Sequence, residues 1–455
     1  MSSACKHGVA RAVFGLTIVM VCASLARASS ATLFLEEPYG TLGFFTPTGH
    51  AAVYLSGVCA DSPLVLRPCA PGETGVVISR YDGVVGYDWL AVPLIPYLYA
   101  VDRAENIPLF SDARMVTALR DRYRRQYFAN VIPDGKNGLA PGGNWYELVG
   151  SAYDRTIYGF EIETTPEQDL ALIHKLNSSP NHSHFHLVSR NCADFAKDII
   201  NFYYPKALHR SIIADVGMTT PKQMARMMVK FSKRHPGIQY SRLLIAQVPG
   251  SMPRSFANDG VVEAFFKSKK YIVPSAVVSP IFASCVFAVF VGTGAGRFEP
   301  DRDAMIFDPG GNPAPRLDRE DQRAYQHELK DLLADADAAP SGQNVDKVWA
   351  KLQSKATLDF DDQGGPVLQM EVDGSIVRIG ATAGNVLSGN APPQLVRQLL
   401  EARLQSELRG RATRGLSEDE ITRDWTLLRQ TMPENDSPAA EHSTLRSEAL
   451  RADRP

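Results

Sequence analysis

Residues 189–200 (SRNCADFAKDII) place a cysteine where an apolar segment ends and a helical pattern begins. Phe195, Ile199 and Phe202 are spaced so that they lie on one face of a helix. A helix that starts at Cys192 is therefore predicted to pack this apolar face against the core. The preceding residues 184–189 (HFHLVS) have the composition of a strand. A thiol at a helix N-terminus lies beside unpaired backbone N–H groups, which favour its thiolate form. The junction therefore predicts a mixed α and β fold and a candidate nucleophile at Cys192.

The N-terminal segment, residues 1–28, has the three parts of an export signal. Basic residues come first, the apolar stretch AVFGLTIVMVCASLA follows, and Ala26 and Ala28 satisfy the small-x-small rule for cleavage. We therefore predict cleavage after Ala28 and export to the cell envelope or periplasm. The alternative interpretation is an uncleaved N-terminal anchor.

Export makes the six cysteines informative, because disulfides form in oxidising compartments. Cys59 and Cys69 flank a short loop and are predicted to form a disulfide. Cys285 lies in an apolar run and is predicted to pack as a small hydrophobic residue. Cys192 is left over, and it is either an inert buried thiol or a reactive one.

The rest of the chain shows alternating strand and helix patterns. Strands are predicted at residues 49–57, 75–81, 155–164 and 241–248, with helices at residues 112–128 and after the Thr-Pro pairs 165–166 and 220–221. The charged C-terminal part contains a predicted β-hairpin at residues 367–380 and a predicted helix that begins at Ser417.

Residues 271–296 contain no charged side chain and are long enough to span a bilayer. Pro274 and Pro280 interrupt this run, although membrane helices tolerate proline better than soluble helices do. We predict a transmembrane helix here. The alternative is a pair of buried core strands broken at Pro280.

A thiol nucleophile needs a base, and His50 is the best candidate. It opens the strand HAAVYL, directly after Gly49, and a strand start projects its side chain at the rim of a sheet. We predict that Cys192 attacks a carbonyl group while His50 acts first as base and then as acid. Taken alone, a histidine at this position is more often structural or exposed than catalytic, and it is the Asn-Cys segment that favours a catalytic role for His50.

The segments GHAAVYLSG and SRNCADFA together resemble the circularly permuted papain-like superfamily, the NlpC-type thiol hydrolases, to which lecithin:retinol acyltransferase belongs. In that family a strand beginning with histidine precedes an Asn-Cys at the start of a helix. The matching positions are His50, Val53, Tyr54, Leu55, Gly57, Asn191, Cys192 and Phe195. The resemblance covers residues 32–204, less than half of the chain. It implies a third polar residue that orients the histidine; the candidates are Ser79, Arg80 and Glu73, and none of them copies the family's pattern.

The resemblance implies an α+β fold in which a permuted papain-like domain combines a small antiparallel sheet with a catalytic-cysteine helix. The predicted organisation is a signal peptide (1–28), this domain with a helical extension (29–270), a transmembrane helix (271–296), a charged, mostly helical α+β region (297–432) and a disordered tail (433–455). The implied function is an exported cysteine hydrolase, a peptidase or amidase, or an acyltransferase that forms a thioester acyl-enzyme. The alternative is a catalytically inactive papain-like protein that binds or scaffolds in the envelope.

The implied substrate is a cell-wall peptide or an envelope lipid, and association with a membrane is predicted. The formal charge of −2 gives no reason to expect a nucleic-acid partner. His182, His184 and His186 would share one face of a strand and could bind zinc, but no carboxylate or cysteine stands nearby at metal-ligand spacing. We therefore predict neither a metal site nor an organic cofactor, and the sequence leaves the oligomeric state open.

Overall fold

The computed structural model describes residues 29–40, 47–81, 84, 86–108, 111–182, 185–248, 252–309, 323, 327, 356–372 and 375–380. The predicted signal peptide, the predicted helix at Ser417 and the predicted disordered tail lie outside these residues.

Twelve strands are present among the described residues. They are β1 (Ser29–Glu36), β2 (His50–Leu55), β3 (Val58–Ser62), β4 (Val65–Pro68), β5 (Val76–Ser79), β6 (Leu90–Pro93), β7 (Ile157–Thr164), β8 (Tyr240–Ile245), β9 (Met305–Ile306), β10 (Thr357–Phe360), β11 (Pro366–Val372) and β12 (Ser375–Gly380). Seven of them form one sheet in the order β6-β5-β2-β1-β7-β8-β9, and only the pairing of β8 with β9 is parallel. The predicted antiparallel sheet is thus present, and β9 extends it.

Helices cover both faces of this sheet. They are α1 (Leu94–Tyr99), α2 (Ala113–Tyr127), α3 (Ser151–Asp154), α4 (Pro166–Ser178), α5 (Cys192–Tyr203), α6 (Pro221–Arg234), α7 (Val261–Lys267), α8 (Lys269–Val278) and α9 (Pro280–Thr293). Leu33 and Leu35 of β1 pack in one core with α4, α5 and α6, whereas Phe34 packs in a second core with α1, α2 and α3. Burial on both faces explains why β1 lacks the polar alternation of a half-exposed strand. The α+β class predicted from the sequence is confirmed.

The helix starts predicted from Thr-Pro pairs are confirmed. Thr165 accepts a hydrogen bond from the backbone N–H of Gln168, and Thr220 accepts one from Gln223. Proline suits the first helical position because its missing N–H would have no partner inside the helix.

The predicted disulfide between Cys59 and Cys69 is also confirmed. It closes the hairpin of β3 and β4, in which Cys59 pairs with Arg67 across the two strands.

The strand predicted at residues 184–189 is wrong. Its described residues form a turn closed by a single bridge between His186 and Arg190, and Leu187 and Val188 are exposed. No described strand pairs with this segment, so its apolar residues have no sheet face to pack on. The strand face on which His182, His184 and His186 would have met is therefore not formed, and His184 lies outside the described residues.

The charge-free run forms neither a single spanning helix nor two core strands. It is divided into α8 and α9, because Pro280 cannot donate a helical hydrogen bond and restricts Ser279 to an extended conformation. Among the described residues, no helix has both the length and the apolar character needed to cross a bilayer. Cys285 is exposed on α9, so its predicted packing in a core is wrong.

The C-terminal region was predicted to be mostly helical, yet its longest described parts are strands. β10, β11 and β12 form an antiparallel sheet, which confirms the hairpin predicted at residues 367–380. Arg114 and Arg122 of α2 donate hydrogen bonds to the carbonyl oxygens of Ala356 (2.6 Å) and Gly364 (3.0 Å). These bonds tie this sheet to the N-terminal body.

Candidate active site

Cys192 is the first residue of α5, and α5 packs against β2. The backbone N–H groups of Ala51, Ala193 and Cys192 itself approach the sulfur. Because Ala51 directly follows His50, the thiol lies beside the start of the histidine strand. The side chain is partly exposed and forms no disulfide. The two segments singled out in the sequence are therefore brought together, although they are far apart along the chain.

The junction before Cys192 is fixed by a capping box. The side chain of Asn191 accepts a hydrogen bond from the N–H of Asp194 (2.9 Å), and its amide donates to the carbonyl oxygens of Leu187 (2.8 Å) and Thr219 (3.0 Å). The buried carboxylate of Asp194 in turn accepts a hydrogen bond from the Thr219 hydroxyl (2.7 Å). Because these bonds leave Asn191 little freedom, they set the direction from which α5 presents the thiol.

We expect Asn191→Ala to lower the free energy of unfolding by about 2–3 kcal/mol, since it removes a helix cap and leaves the carbonyl groups of Leu187 and of the buried Thr219 without their donor. Thr165→Ala is the matched control, because it removes only the more exposed capping box of α4 and should cost about 1 kcal/mol. Urea unfolding curves of both variants measure the difference. Equal losses would show that the bonds to Leu187 and Thr219 contribute nothing to stability.

His50 is held at the sheet rim by its neighbours. Gly49 has a φ of +69°, and a Cβ atom at that position would lie 2.1 Å from the Glu36 carbonyl oxygen. The imidazole stacks on the ring of Tyr81, with 4.7 Å between ring centroids. The turn at Gly49 and the stacking on Tyr81 together restrict both the position and the tilt of the imidazole.

Ser79 is the only one of the three sequence candidates that contacts His50 among the described residues. Its hydroxyl donates to the Ala51 carbonyl oxygen (2.7 Å) and also lies 2.7 Å from Nε2 of His50. Because the hydroxyl has one proton and the carbonyl oxygen can only accept, Nε2 must be the donor in the second bond. Nδ1 is then the unprotonated nitrogen of His50, the one able to accept a proton.

The other two candidates face different partners. Arg80 forms a buried ion pair with Asp88 (2.6 Å) and lies over the ring of Phe195 on α5. The carboxylate of Glu73 accepts two hydrogen bonds from the guanidinium of Arg67 on the β3–β4 hairpin. Arg80 thus stabilises the packing of the cysteine helix, and neither residue orients the imidazole.

A buried polar network that sequence reasoning missed lies behind His50. Tyr97 donates a hydrogen bond to the carboxylate of Glu36, and the Tyr81 hydroxyl lies 3.4 Å from that of Tyr97. Arg155 forms an ion pair with Glu36 at 3.2 Å and is covered by the ring of Tyr39. Glu36, at the end of the otherwise apolar strand β1, was the sequence signal for this network, since a buried charge needs a partner.

Although Cys192 and His50 are each partly exposed, the protein atoms packed around them favour the uncharged forms of the thiol and of the imidazole. This desolvation raises the pKa of Cys192 to about 11, against smaller opposing effects of the nearby N–H groups. It lowers the pKa of His50 to about 3, and the positive charge of Arg155 acts in the same direction. Both groups therefore rest uncharged, the sulfur as a thiol and the imidazole as a neutral ring.

One group of potential metal ligands lies close together among the described residues: Cys59, Cys69 and Glu73. Both sulfurs are joined in the disulfide, and the carboxylate is bonded to Arg67. The sulfur atoms and the carboxylate of this group therefore already have partners within the protein.

Comparison with known proteins gave no match: no family model, no curated protein and no solved structure is significantly similar to this chain. The resemblance to NlpC-type thiol hydrolases therefore remains a prediction from the sequence motifs.

Proposed function

We propose that this chain is an exported cysteine hydrolase or acyltransferase of the permuted papain-like type. The observation that carries the proposal is the placement of the Cys192 thiol beside the strand opened by His50, whose Nε2 is bonded to Ser79. A nucleophile, a base and a residue that orients the base are the three parts that covalent acyl transfer requires.

The reaction begins with transfer of the thiol proton to Nδ1 of His50 as sulfur attacks the carbonyl carbon. The carbonyl oxygen becomes negatively charged, and backbone N–H groups at the start of α5 stabilise it. Collapse of this tetrahedral intermediate breaks the bond to the leaving nitrogen or oxygen, which takes the proton from the imidazolium. The product is a thioester on Cys192, and water or an acceptor hydroxyl or amine then releases the acyl group.

A neutral resting pair determines when the proton moves. Separating thiolate and imidazolium in this largely desolvated site is unfavourable without the negative charge that develops on the substrate oxygen. We therefore propose that proton transfer accompanies attack on the substrate. This arrangement also protects the thiol from adventitious oxidation in an oxidising compartment, because the thiolate is the reactive form.

The proposed location is the cell envelope, with a wall peptide or an envelope lipid as substrate. The disulfide between Cys59 and Cys69 supports an oxidising compartment, since such bonds are rare in reducing ones. The export signal predicted at residues 1–28 supports the same location.

An acylation experiment tests the proposal. We expect the mature chain, residues 29–455, to be acylated at neutral pH by a thiol-directed activated ester, and Cys192→Ala to abolish this labelling. Cys285→Ala is the matched control, since it removes the other free cysteine of the described residues and should leave the rate unchanged. Labelling that is equally fast in native and urea-denatured protein would contradict an activated thiol.

A second candidate function, an inactive papain-like domain that binds a peptide or glycan, is favoured by the same pKa shifts. A thiol of raised pKa beside an imidazole of lowered pKa is also what an inert core pair would show. An activity screen on wall peptides and phospholipids separates the two functions. Turnover that depends on Cys192 supports the enzyme, whereas tight binding without turnover supports the binding protein.

A further inference from the structure

The helices α7, α8 and α9 form an apolar projection from the body, hereafter the apolar hairpin. In α8 and α9 no described side chain is buried, although no residue from 271 to 293 carries a charge. Phe265 and Phe266 of α7 pack against the rings of Phe282 and Phe290 of α9, which holds the helices together. Apolar helices that bury none of their residues are not a stable arrangement in water.

Exposure in the apolar hairpin rises toward the turn between α8 and α9. Val277, Val278 and Ile281, which surround this turn, are 79%, 84% and 78% exposed, whereas Tyr271 and Val291, nearer the base, are only about half exposed. The turn at Ser279 is therefore the tip of the projection, and the largest uncovered apolar surface lies there.

The base of the apolar hairpin carries positive charge. Lys269 and Lys270 are exposed at the start of α8, and the ammonium group of Lys270 lies over the ring of Tyr271. Arg297 is exposed just after α9. Tyrosine and lysine are the residues that mark the boundary between lipid and water, because their apolar stems enter lipid while their polar ends remain in water.

Each of the two helices is long enough to cross one leaflet of a bilayer and too short to span both. The 10 residues of α8 extend about 15 Å and the 14 residues of α9 about 21 Å, against about 15 Å for half of a hydrocarbon core. We infer that the apolar hairpin inserts its tip into one leaflet of an anionic membrane, with Lys269, Lys270 and Tyr271 at the headgroups. A lipid phase covers the helices on all sides, whereas a second copy of the chain would cover only one.

The body fixes the apolar hairpin firmly enough to orient the protein on the membrane. Lys222 of α6 forms a buried ion pair with Glu263 of α7 (2.7 Å), and Arg226 of α6 donates to the carbonyl oxygen of Thr293 at the end of α9 (2.5 Å). α6 packs in the same core as α5. The membrane anchor is therefore mounted on the layer that carries Cys192.

Vesicle flotation of the mature chain, residues 29–455, tests the inference. We expect binding to vesicles that contain 30% phosphatidylglycerol, and a loss of about tenfold or more in the bound fraction with Val277→Asp/Ile281→Asp. Ile212→Asp/Ile213→Asp is the matched control, because these residues are similarly exposed (80% and 67%) but lie on the body. Lys269→Glu/Lys270→Glu should weaken binding to anionic vesicles and leave the weaker binding to pure phosphatidylcholine unchanged.

A measurement of insertion depth distinguishes insertion into one leaflet from a full span of the bilayer. Trp introduced as Val278→Trp should be quenched most by bromines near the centre of the bilayer, and a maleimide sealed inside the vesicles should not label Val278→Cys in a chain with Cys192→Ser and Cys285→Ser. Labelling from inside would overturn the single-leaflet arrangement. Absent flotation would overturn membrane insertion. An oligomer that dissociates when Val277 and Ile281 are replaced by Asp would show that the surface is instead covered by a second copy of the chain. Because flotation of Cys192→Ala should be unaffected, failure here is distinguishable from failure of the proposed chemistry.

Discussion

His50→Ala will reduce the rate of Cys192 acylation at pH 7 by about 10²–10⁴-fold, the range typical of a lost general base. Because the thiol pKa is raised to about 11, very few molecules carry a thiolate at pH 7, so the unassisted reaction is slow. Ser79→Ala should cause a smaller loss of about tenfold, because the imidazole remains but its tautomer and orientation are no longer fixed. Single-turnover acylation followed by mass spectrometry measures all three rates.

The pH dependence of acylation provides the control. Since the pKa of His50 is lowered to about 3, the base is already unprotonated throughout pH 5–8, and the wild-type rate should change little over that range. In His50→Ala the rate should rise about tenfold per pH unit as the thiol ionises, so the two rates converge toward high pH. A wild-type rate that also rises tenfold per unit, with no gap between the two proteins, would exclude His50 as the base.

Gly49→Ala will destabilise the fold by about 3 kcal/mol or more and will also displace His50. The positive φ alone costs a residue with a Cβ about 1–2 kcal/mol. The new Cβ would meet the carbonyl oxygen of Glu36 at 2.1 Å and the amide of Asn258 at 2.2 Å, and the carbonyl group belongs to the central strand and cannot move cheaply. Urea unfolding and the acylation rate should therefore both report the substitution.

Gly72→Ala is the matched control for strain without a clash. Gly72 has a φ of +91°, but nothing lies within 4 Å of the position its Cβ would take. We expect a loss of about 1–2 kcal/mol and an unchanged acylation rate. Similar losses for the two variants would show that the close approach of β1 to Gly49 is not what fixes the start of the histidine strand.

The parts of the fold that depend on local signals could be predicted from the sequence. The capped helix starts at Thr165 and Thr220, and the disulfide of the β3–β4 hairpin, are each encoded within a few neighbouring residues. The segment at residues 184–189 was misread because its apolar residues match a strand in composition, and composition does not reveal that no neighbouring strand is available.

The candidate site was predictable only in part, for a similar reason. His50 and Cys192 each stand at the start of an element, a position that a sequence pattern can identify. The bond between Ser79 and His50 depends on the register of β2 with β5, and the ion pair of Arg155 with Glu36 depends on that of β1 with β7. Register between distant strands is a tertiary property, so these partners could not be derived from spacing along the chain.

The position of β1 has a consequence for how the protein assembles. The first strand of the described chain, β1, is the middle strand of the sheet, between β2 and β7. Its neighbour β7 is distant in the chain, because Ser29 pairs with Thr164, 135 residues further on. While the polypeptide emerges, β1 can pair with β2 on one side but must keep its other edge unpaired until β7 has been made. Such an edge is prone to aggregation, and the final closure involves a long loop, so maturation should be slow and helped by a holding chaperone. Trimming even a few amino acids beyond Ala28 would remove material from the centre of the sheet rather than from its margin.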